Sequence, residues 1–226
     1  MLLAIDTSTE LTGLACYAQH CLLGECTWYS GRNHTAQLLA QLDLLLAHLG
    51  RSAADVGAVG VALGPGSWSG LRVGMSFAKG IALAADVPLL GIGTLDALAY
   101  QHQQPALPVY PLVRLGRARF ATACFRHTAG GQRVGDYATL TLDALGQQIG
   151  QQPDEAVFFC GDTDAAVQAQ LQALLGEQAR FAPVAANLRR PGFLAELAWQ
   201  RFVAGEHDSL AQLEPLYLGE AVKPQP

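Results

Sequence analysis

An α/β fold built twice is what this sequence predicts, and three observations carry the prediction. Short apolar runs alternate with longer stretches at helical spacing, and the order βββαβα occurs in each half. A segment rich in proline and amides, Gln103-Gln104-Pro105-Ala106-Leu107-Pro108, resists both periodic structures and separates the halves. The chain has 226 residues, 50% of them hydrophobic and 15% charged, enough to bury a sizeable core without staples.

In the first half, Leu2 to Asp6 reads as a buried strand, and Gly13 to Tyr17 and Cys21 to Ser30 as two more. Turn residues at Thr7 to Glu10 and Gln19-His20 separate them. A helix follows from Asn33 or His34 to Leu49, with Asn33 as a cap candidate and Gly50 at its exit. Val56 to Leu63 returns as a strand, Ser69 to Ala85 as a helix, Leu89 to Ile92 as a strand, and Thr94 opens a helix running to about His102. The second half repeats the order. Val109 to Val113, Phe120 to Phe125 and Val134 to Leu140 read as strands, Leu142 to Ile149 as a helix, Ala156 to Cys160 as a strand, and Asp162 to Leu175 as a helix. Leu194 to Val203 makes one more helix, and the tail from about Ala221 is expected to be disordered.

Two such halves without visible sequence identity suit the ribonuclease-H-like fold that the actin, hexokinase and sugar-kinase superfamily uses twice. The expected division is a lobe over residues 1–103 and a smaller, reduced lobe over 104–226. A reduced second lobe weakens any expectation of a kinase with a closing nucleotide cleft.

Net charge is −5, from 14 basic and 19 acidic residues, and Lys79 and Lys223 are the only lysines. Phosphate-backbone binders carry a basic excess, so service to a nucleic acid is expected through a partner. The five cysteines, Cys16, Cys21, Cys26, Cys124 and Cys160, contain no Cys-x-x-Cys pair and read as reduced thiols, mostly buried. No window approaches the roughly 18 uninterrupted apolar residues of a membrane span, and Asp6 closes the first apolar run too early for a secretory signal. A cytoplasmic protein is expected.

Gly64-Pro65-Gly66-Ser67-Trp68-Ser69-Gly70-Leu71-Arg72 lies between a strand and a helix. Either its glycines let backbone amides cradle an anion at the helix start, or it is a tight turn capped by Ser67 or Ser69. It lacks the Lys-Ser/Thr of a Walker loop, the sixth-position glycine of a dinucleotide loop, and the central serine of a nucleophile elbow, which Trp68 replaces. Asp6, Thr7 and Ser8 form an acid and hydroxyl turn. It is either a vestigial phosphate and magnesium site or a turn in which Asp6 bonds local amides. The six histidines, His20, His34, His48, His102, His127 and His207, never pair at helical spacing, so no local metal pair exists.

The first helix has Leu38, Leu39, Leu42, Leu45, Leu46 and Leu49 on one broad arc. Its far side carries Ala36, Ala40 and Ala47 with Leu44 beside them, and Asp43 is its only charge from Thr35 to Leu49. The helix from Ser69 is similar, with Arg72, Ser76 and Lys79 as a narrow polar strip and Met75 among many small or apolar neighbours. Such faces either pack within one chain or build a bundle with a partner's helix pair. The candidate partner-binding residues are Ala36, Ala40, Leu44, Ala47, Arg72, Met75 and Lys79.

These residues resemble a known family. Asp6-Thr7-Ser8-Thr9, Arg32-x-His34-Thr35-x-x-Leu38-Leu39, the Gly64 to Gly74 segment with Ala78-Lys79-Gly80, and Glu214-Pro215-Leu216-Tyr217-Leu218 are similar to the TsaB (YeaZ) family. The agreement is dense over the first hundred residues and thin afterwards. The resemblance implies a bacterial, non-catalytic subunit, without cofactor, of the machinery placing threonylcarbamoyl on N6 of adenosine 37 in tRNAs reading ANN codons. It implies as partners the catalytic paralogue TsaD and the ATPase TsaE, a homodimer when alone, and tRNA only through the complex. The paralogue's His-x-x-x-His metal pair corresponds here to Thr94 and Leu98, which cannot replace imidazoles. The family's Asp-Ala-Arg or Asp-Ala-Gly-Arg segment is Arg114-Leu115-Gly116-Arg117 here, and the arginine after Tyr-Leu is Gly219. The competing expectation is an enzyme of the same superfamily, a small-molecule kinase or a metallopeptidase-like hydrolase. A dinucleotide-dependent reductase rests only on the imperfect glycine loop.

Overall fold

Strand β1 (Leu2–Asp6) is buried along its whole length, which places it at the centre of a sheet. A computed structural model of the chain describes residues 1–31, 33–103, 107–126, 132–151 and 155–218. Arg32, residues 104–106 of the segment between the halves, His127 and the tail from 219 lie outside the described residues. Short turns join β1, β2 (Leu11–Ala18) and β3 (Cys21–Tyr29) as an antiparallel meander. Strands β4 (Ala58–Gly64) and β5 (Leu89–Gly93) run parallel to β1, because parallel neighbours need crossovers, supplied by helices α1 (His34–His48) and α2 (Trp68–Ala85). The sheet order is β3-β2-β1-β4-β5.

After α3 (Thr94–Gln101), the second half repeats this topology with β6 (Val109–Leu115), β7 (Arg119–Arg126), β8 (Gln132–Leu140), α4 (Leu142–Gly150), β9 (Val157–Gly161), α5 (Ala165–Leu175) and β10 (Ala179–Phe181). Read from the other edge, its order β8-β7-β6-β9-β10 matches the first sheet position for position. The second lobe keeps all five strands, so its reduction is one of length. Helices α4 and α5 have 9 and 11 residues against 15 and 18 in α1 and α2, and β10 has 3 against 5 in β5.

One expectation needs correction. Helix α6 (Pro191–Val203) follows the second lobe in sequence but packs on the first sheet, burying Leu194, Ala195 and Ala198 against Leu2, Ala4, Ala62 and Leu90. Glycine in mid-strand makes this possible, since a Cβ on Gly60 would stand 2.8 Å from the Ala198 methyl. Helix α3 conversely buries Leu95, Leu98 and Ala99 against Val109, Val113 and Ala121 of the second sheet. The two helices meet between the sheets, Tyr100 against Phe193. Helices α1 and α2 therefore lie on the outside of the first lobe, with a sheet on one side only. Leu38, Leu42, Leu45 and Leu46 of α1 and Met75, Ala78 and Ala82 of α2 pack against that sheet.

The C-terminal segment ties the lobes together. Asp208 N–H donates to Leu89 O at 2.8 Å, Leu216 N–H to Leu63 O at 2.7 Å, and the Thr139 hydroxyl to Leu218 O at 3.3 Å. The Tyr137 hydroxyl adds a bond from β8 to Asp96 of α3. All five cysteines are free, with Cys16 and Cys160 buried and Cys21 exposed. No helix among the described residues is long and apolar enough to cross a membrane.

Candidate functional site

Asp6 ends β1 with its carboxylate turned inward. Oδ1 accepts from the Ser8 amide at 2.8 Å and from the Ser8 hydroxyl at 2.6 Å, and Oδ2 faces Arg189 Nε at 3.3 Å. Arg189 also donates to the Thr9 hydroxyl, and both charged side chains are buried. The local bonds are those of an Asx-type turn, one of the two outcomes the sequence left open. Arg189 was not foreseen. Nothing near it in sequence marks it, and the only signal is the general need of a buried carboxylate for a counter-charge. A magnesium ion at Asp6 would compete with this guanidinium for the same oxygen. Replacing Arg189 by Ala removes charged hydrogen bonds while the Ser8 donors remain, so an unfolding free-energy loss of about 2 kcal/mol is expected in urea denaturation.

The glycine loop closes onto the same turn. Ser67 N–H donates to Ser8 O at 2.6 Å, the Thr7 hydroxyl donates to Gly70 O at 2.7 Å, and Ser67 Oγ caps α2 by accepting from Gly70 N–H at 3.3 Å. A Cβ on Gly66 would lie 2.1 Å from Ser8 O, on Gly70 2.2 Å from Thr7 O, and on Gly74 2.2 Å from Thr7 Oγ1. The close approach that glycine permits here is to the chain's own Thr7-Ser8 turn. Of the loop motif Gly64, Pro65, Gly66, Ser67 and Gly70, the last three seat residues 7–8, whereas a Cβ on Gly64 would lie 2.7 Å from Leu216 O.

His34 begins α1 behind this turn. Its Nδ1 bonds the Thr12 hydroxyl at 2.7 Å and the Ser30 hydroxyl at 3.0 Å, tying the β2–β3 hairpin to the helix. Burial holds its pKa below the ordinary 6.5, against an opposing pull from Asp6. Burial also lowers His102, which accordingly favours the neutral ring. Because the unfolded chain protonates these rings first, stability is complete above about pH 6.5 and falls as pH drops through that value. Urea titrations between pH 7.5 and 5 should show this decline, with a shallower slope in His34→Gln. The lowered carboxylates Asp55 and Asp208 contribute only in a separate window, below their ordinary 3.8.

The outer face of α1 and α2 is the second feature. Ala36, Ala40, Leu44 and Ala47 are exposed as expected, Leu44 at 53%. Leu39 corrects the predicted core arc, because it is 60% exposed on this outer face. Met75 corrects the candidate list, because it is buried in the core beneath α2. Arg72 is exposed and its guanidinium lies 3.7 Å from the centroid of the Trp68 ring. Lys79 is half-buried. Between the helices runs a groove of about 420 Å³ lined by Thr35, Leu38, Arg72, Val73, Ser76 and Phe77. The outer face of α5 exposes Ala165, Ala166, Ala169, Ala173 and Leu174, with Gln170 and Gln172 among them. Large contiguous apolar patches are uncommon on the surfaces of monomeric soluble proteins. Thr94 and Leu98 are buried at the start of α3, and among the described residues no group of three His, Cys, Asp or Glu side chains could hold a metal.

Two lobes of identical topology, crossed by α3 and α6, define a duplicated α/β protein of the actin and hexokinase class. A hexokinase of the ROK type from Thermus thermophilus superposes with a TM-score of 0.51 at 10% identity, covering 89% of this chain and 99% of that one. YeaZ from Pseudomonas aeruginosa superposes with a TM-score of 0.76 at 24% identity, over 96% and 99% of the two chains. The family model described as TsaD, tRNA N6-adenosine threonylcarbamoyltransferase, matches residues 29–222. The tRNA threonylcarbamoyladenosine biosynthesis protein TsaB of Bacillus subtilis (strain 168) is 26% identical over 91% of this chain and 90% of its own length. The chain belongs to the TsaB (YeaZ) family of tRNA threonylcarbamoyladenosine biosynthesis proteins, related to TsaD.

Proposed function

We propose that this chain is a non-catalytic, activating subunit of the complex that transfers threonylcarbamoyl to N6 of adenosine 37 in tRNAs reading ANN codons. It docks the catalytic paralogue TsaD through the outer face of α1 and α2 and helps recruit TsaE. The first lobe, residues 1–103, carries the docking helices. The single observation that supports this best is the exposed apolar face of α1, with Ala36, Leu39, Ala40, Leu44 and Ala47 around the lone charge of Asp43. The competing reading, a nucleotide-binding enzyme, would use Asp6 and the glycine loop. In this chain those groups are bonded to Arg189, Ser8 and each other.

Mixing the purified chain with TsaD of the same bacterium tests the proposal. Co-elution in size-exclusion chromatography, with no heat of magnesium-ATP binding to the chain alone, is the expected result. Phosphoryl transfer or tight nucleotide binding by the isolated chain contradicts it.

A further inference from the structure

The exposed face of α2 continues past the helix onto the C-terminal segment. Trp68, the first helical residue, is 57% exposed. Its ring meets the Arg72 guanidinium at 3.7 Å and the Tyr217 ring at 6.3 Å between centroids. Tyr217 is held in place from both sides. Leu216 N–H is bonded to Leu63 O on the first lobe, and Leu218 O accepts from Thr139 while its side chain packs against the second-lobe cluster. Tyr217 nevertheless remains 41% exposed. Arg72 lines the α1–α2 groove, so the aromatic pair and the groove form one continuous surface.

Arg72 is also unusual in its charge. Seven other arginines, among them Arg114, Arg126, Arg190 and Arg201, each hold a carboxylate. Among the described residues no carboxylate is within ion-pair distance of Arg72, whose guanidinium is stacked and so already ordered. Trp, Tyr and Arg are the residue types in which binding energy concentrates. We propose that Trp68, Arg72 and Tyr217 form a composite anchor for a heterologous protein that brings a carboxylate to Arg72, making the C-terminal segment part of the docking surface. This rests on the reading of α1 and α2 as the docking face and adds to it a site that the helices alone do not contain. A second copy of the chain fits less well. An isologous contact centred on the groove would bring a second Arg72 and Lys79 into the interface, while α1 offers Asp43 as its one carboxylate.

The chain has three tryptophans, so Trp28→Phe with Trp199→Phe leaves Trp68 as the sole indole reporter. This variant is titrated with TsaD of the same bacterium while size-exclusion chromatography follows the complex. Should the background fold poorly, the wild-type chain labelled with 5-fluorotryptophan gives the same readout by 19F NMR. A blue shift of Trp68 on complex formation is expected, and Tyr217→Ala and Arg72→Glu should each weaken binding at least about tenfold. The Arg72→Glu loss should shrink at high salt. If the complex forms with Trp68 unmoved and both variants bind normally, the anchor is overturned and the α1–α2 docking face stands. If no wild-type complex forms, the docking face itself fails. A blue shift on concentrating the chain alone, with no displacement of the second copy and no further shift when TsaD is added, would make a second copy the occupant and overturn the heterologous assignment.

Discussion

Gly66→Ala should destabilise the chain by at least about 3 kcal/mol, at the upper end of what overpacking costs. The added methyl would lie 2.1 Å from the carbonyl oxygen of Ser8, and its next nearest atoms are also Ser8 atoms, at 2.9 Å. A flexible side chain could swing away, but a backbone carbonyl at the end of the central strand cannot. Moving it would break the Ser67 N–H bond to Ser8 O and disturb the Asp6 carboxylate, which the Ser8 amide and hydroxyl both serve. For a chain of this size the loss corresponds to a melting point lower by about 6–12 °C. Gly80→Ala is the matched control. It lies in α2 with nothing within 4 Å of its added Cβ, so helix propensity alone decides and a gain of about 0.5–1 kcal/mol is expected. Thermal unfolding of the two variants against wild type checks both signs.

Ala40→Glu combined with Ala47→Glu should remove measurable binding to TsaD. Both positions are exposed on the outer face of α1, so the fold has little to lose, within about 0.5 kcal/mol per site. At a packed helix interface the same two carboxylates would be buried without counter-charges, at several kcal/mol each. Each 1.4 kcal/mol is about a factor of ten, so the combined loss exceeds about a thousandfold. Calorimetric titration of the double variant into TsaD, with circular dichroism confirming the fold, measures the effect. A dissociation constant within a few-fold of wild type would place the partner elsewhere.

Much of the fold was legible because its elements follow local rules. Periodicity marked the strands and helices to within a few residues, and Ser67 was one of the two cap candidates. Helix α6 was misplaced because its apolar stripe says that it is buried but not against which sheet, and the answer lies in small residues at Gly60 and Ala198, far apart in the chain. Strand β10 escaped because three residues with Arg180 in the middle carry no alternation to read. In the candidate site, the turn at Asp6 was readable but Arg189 was not, since the pairing spans 183 positions. Met75 and Leu39 exchanged expected roles because a helix packed on a single sheet buries a narrower stripe than its apolar content suggests. The glycine loop admitted both an anion and a backbone neighbour, and only the position of the Thr7-Ser8 turn separates them.

The claim on which the account turns is that the outer face of α1 and α2 is covered in the working complex. Hydroxyl-radical footprinting of the chain, free and bound to TsaD, measures this side chain by side chain. Leu39, Leu44 and Trp68 should lose reactivity on binding, while Leu174 and Val184, also exposed in the free chain, keep theirs. Protection of Leu174 or Val184, with Leu39 and Leu44 still reactive, would contradict the account.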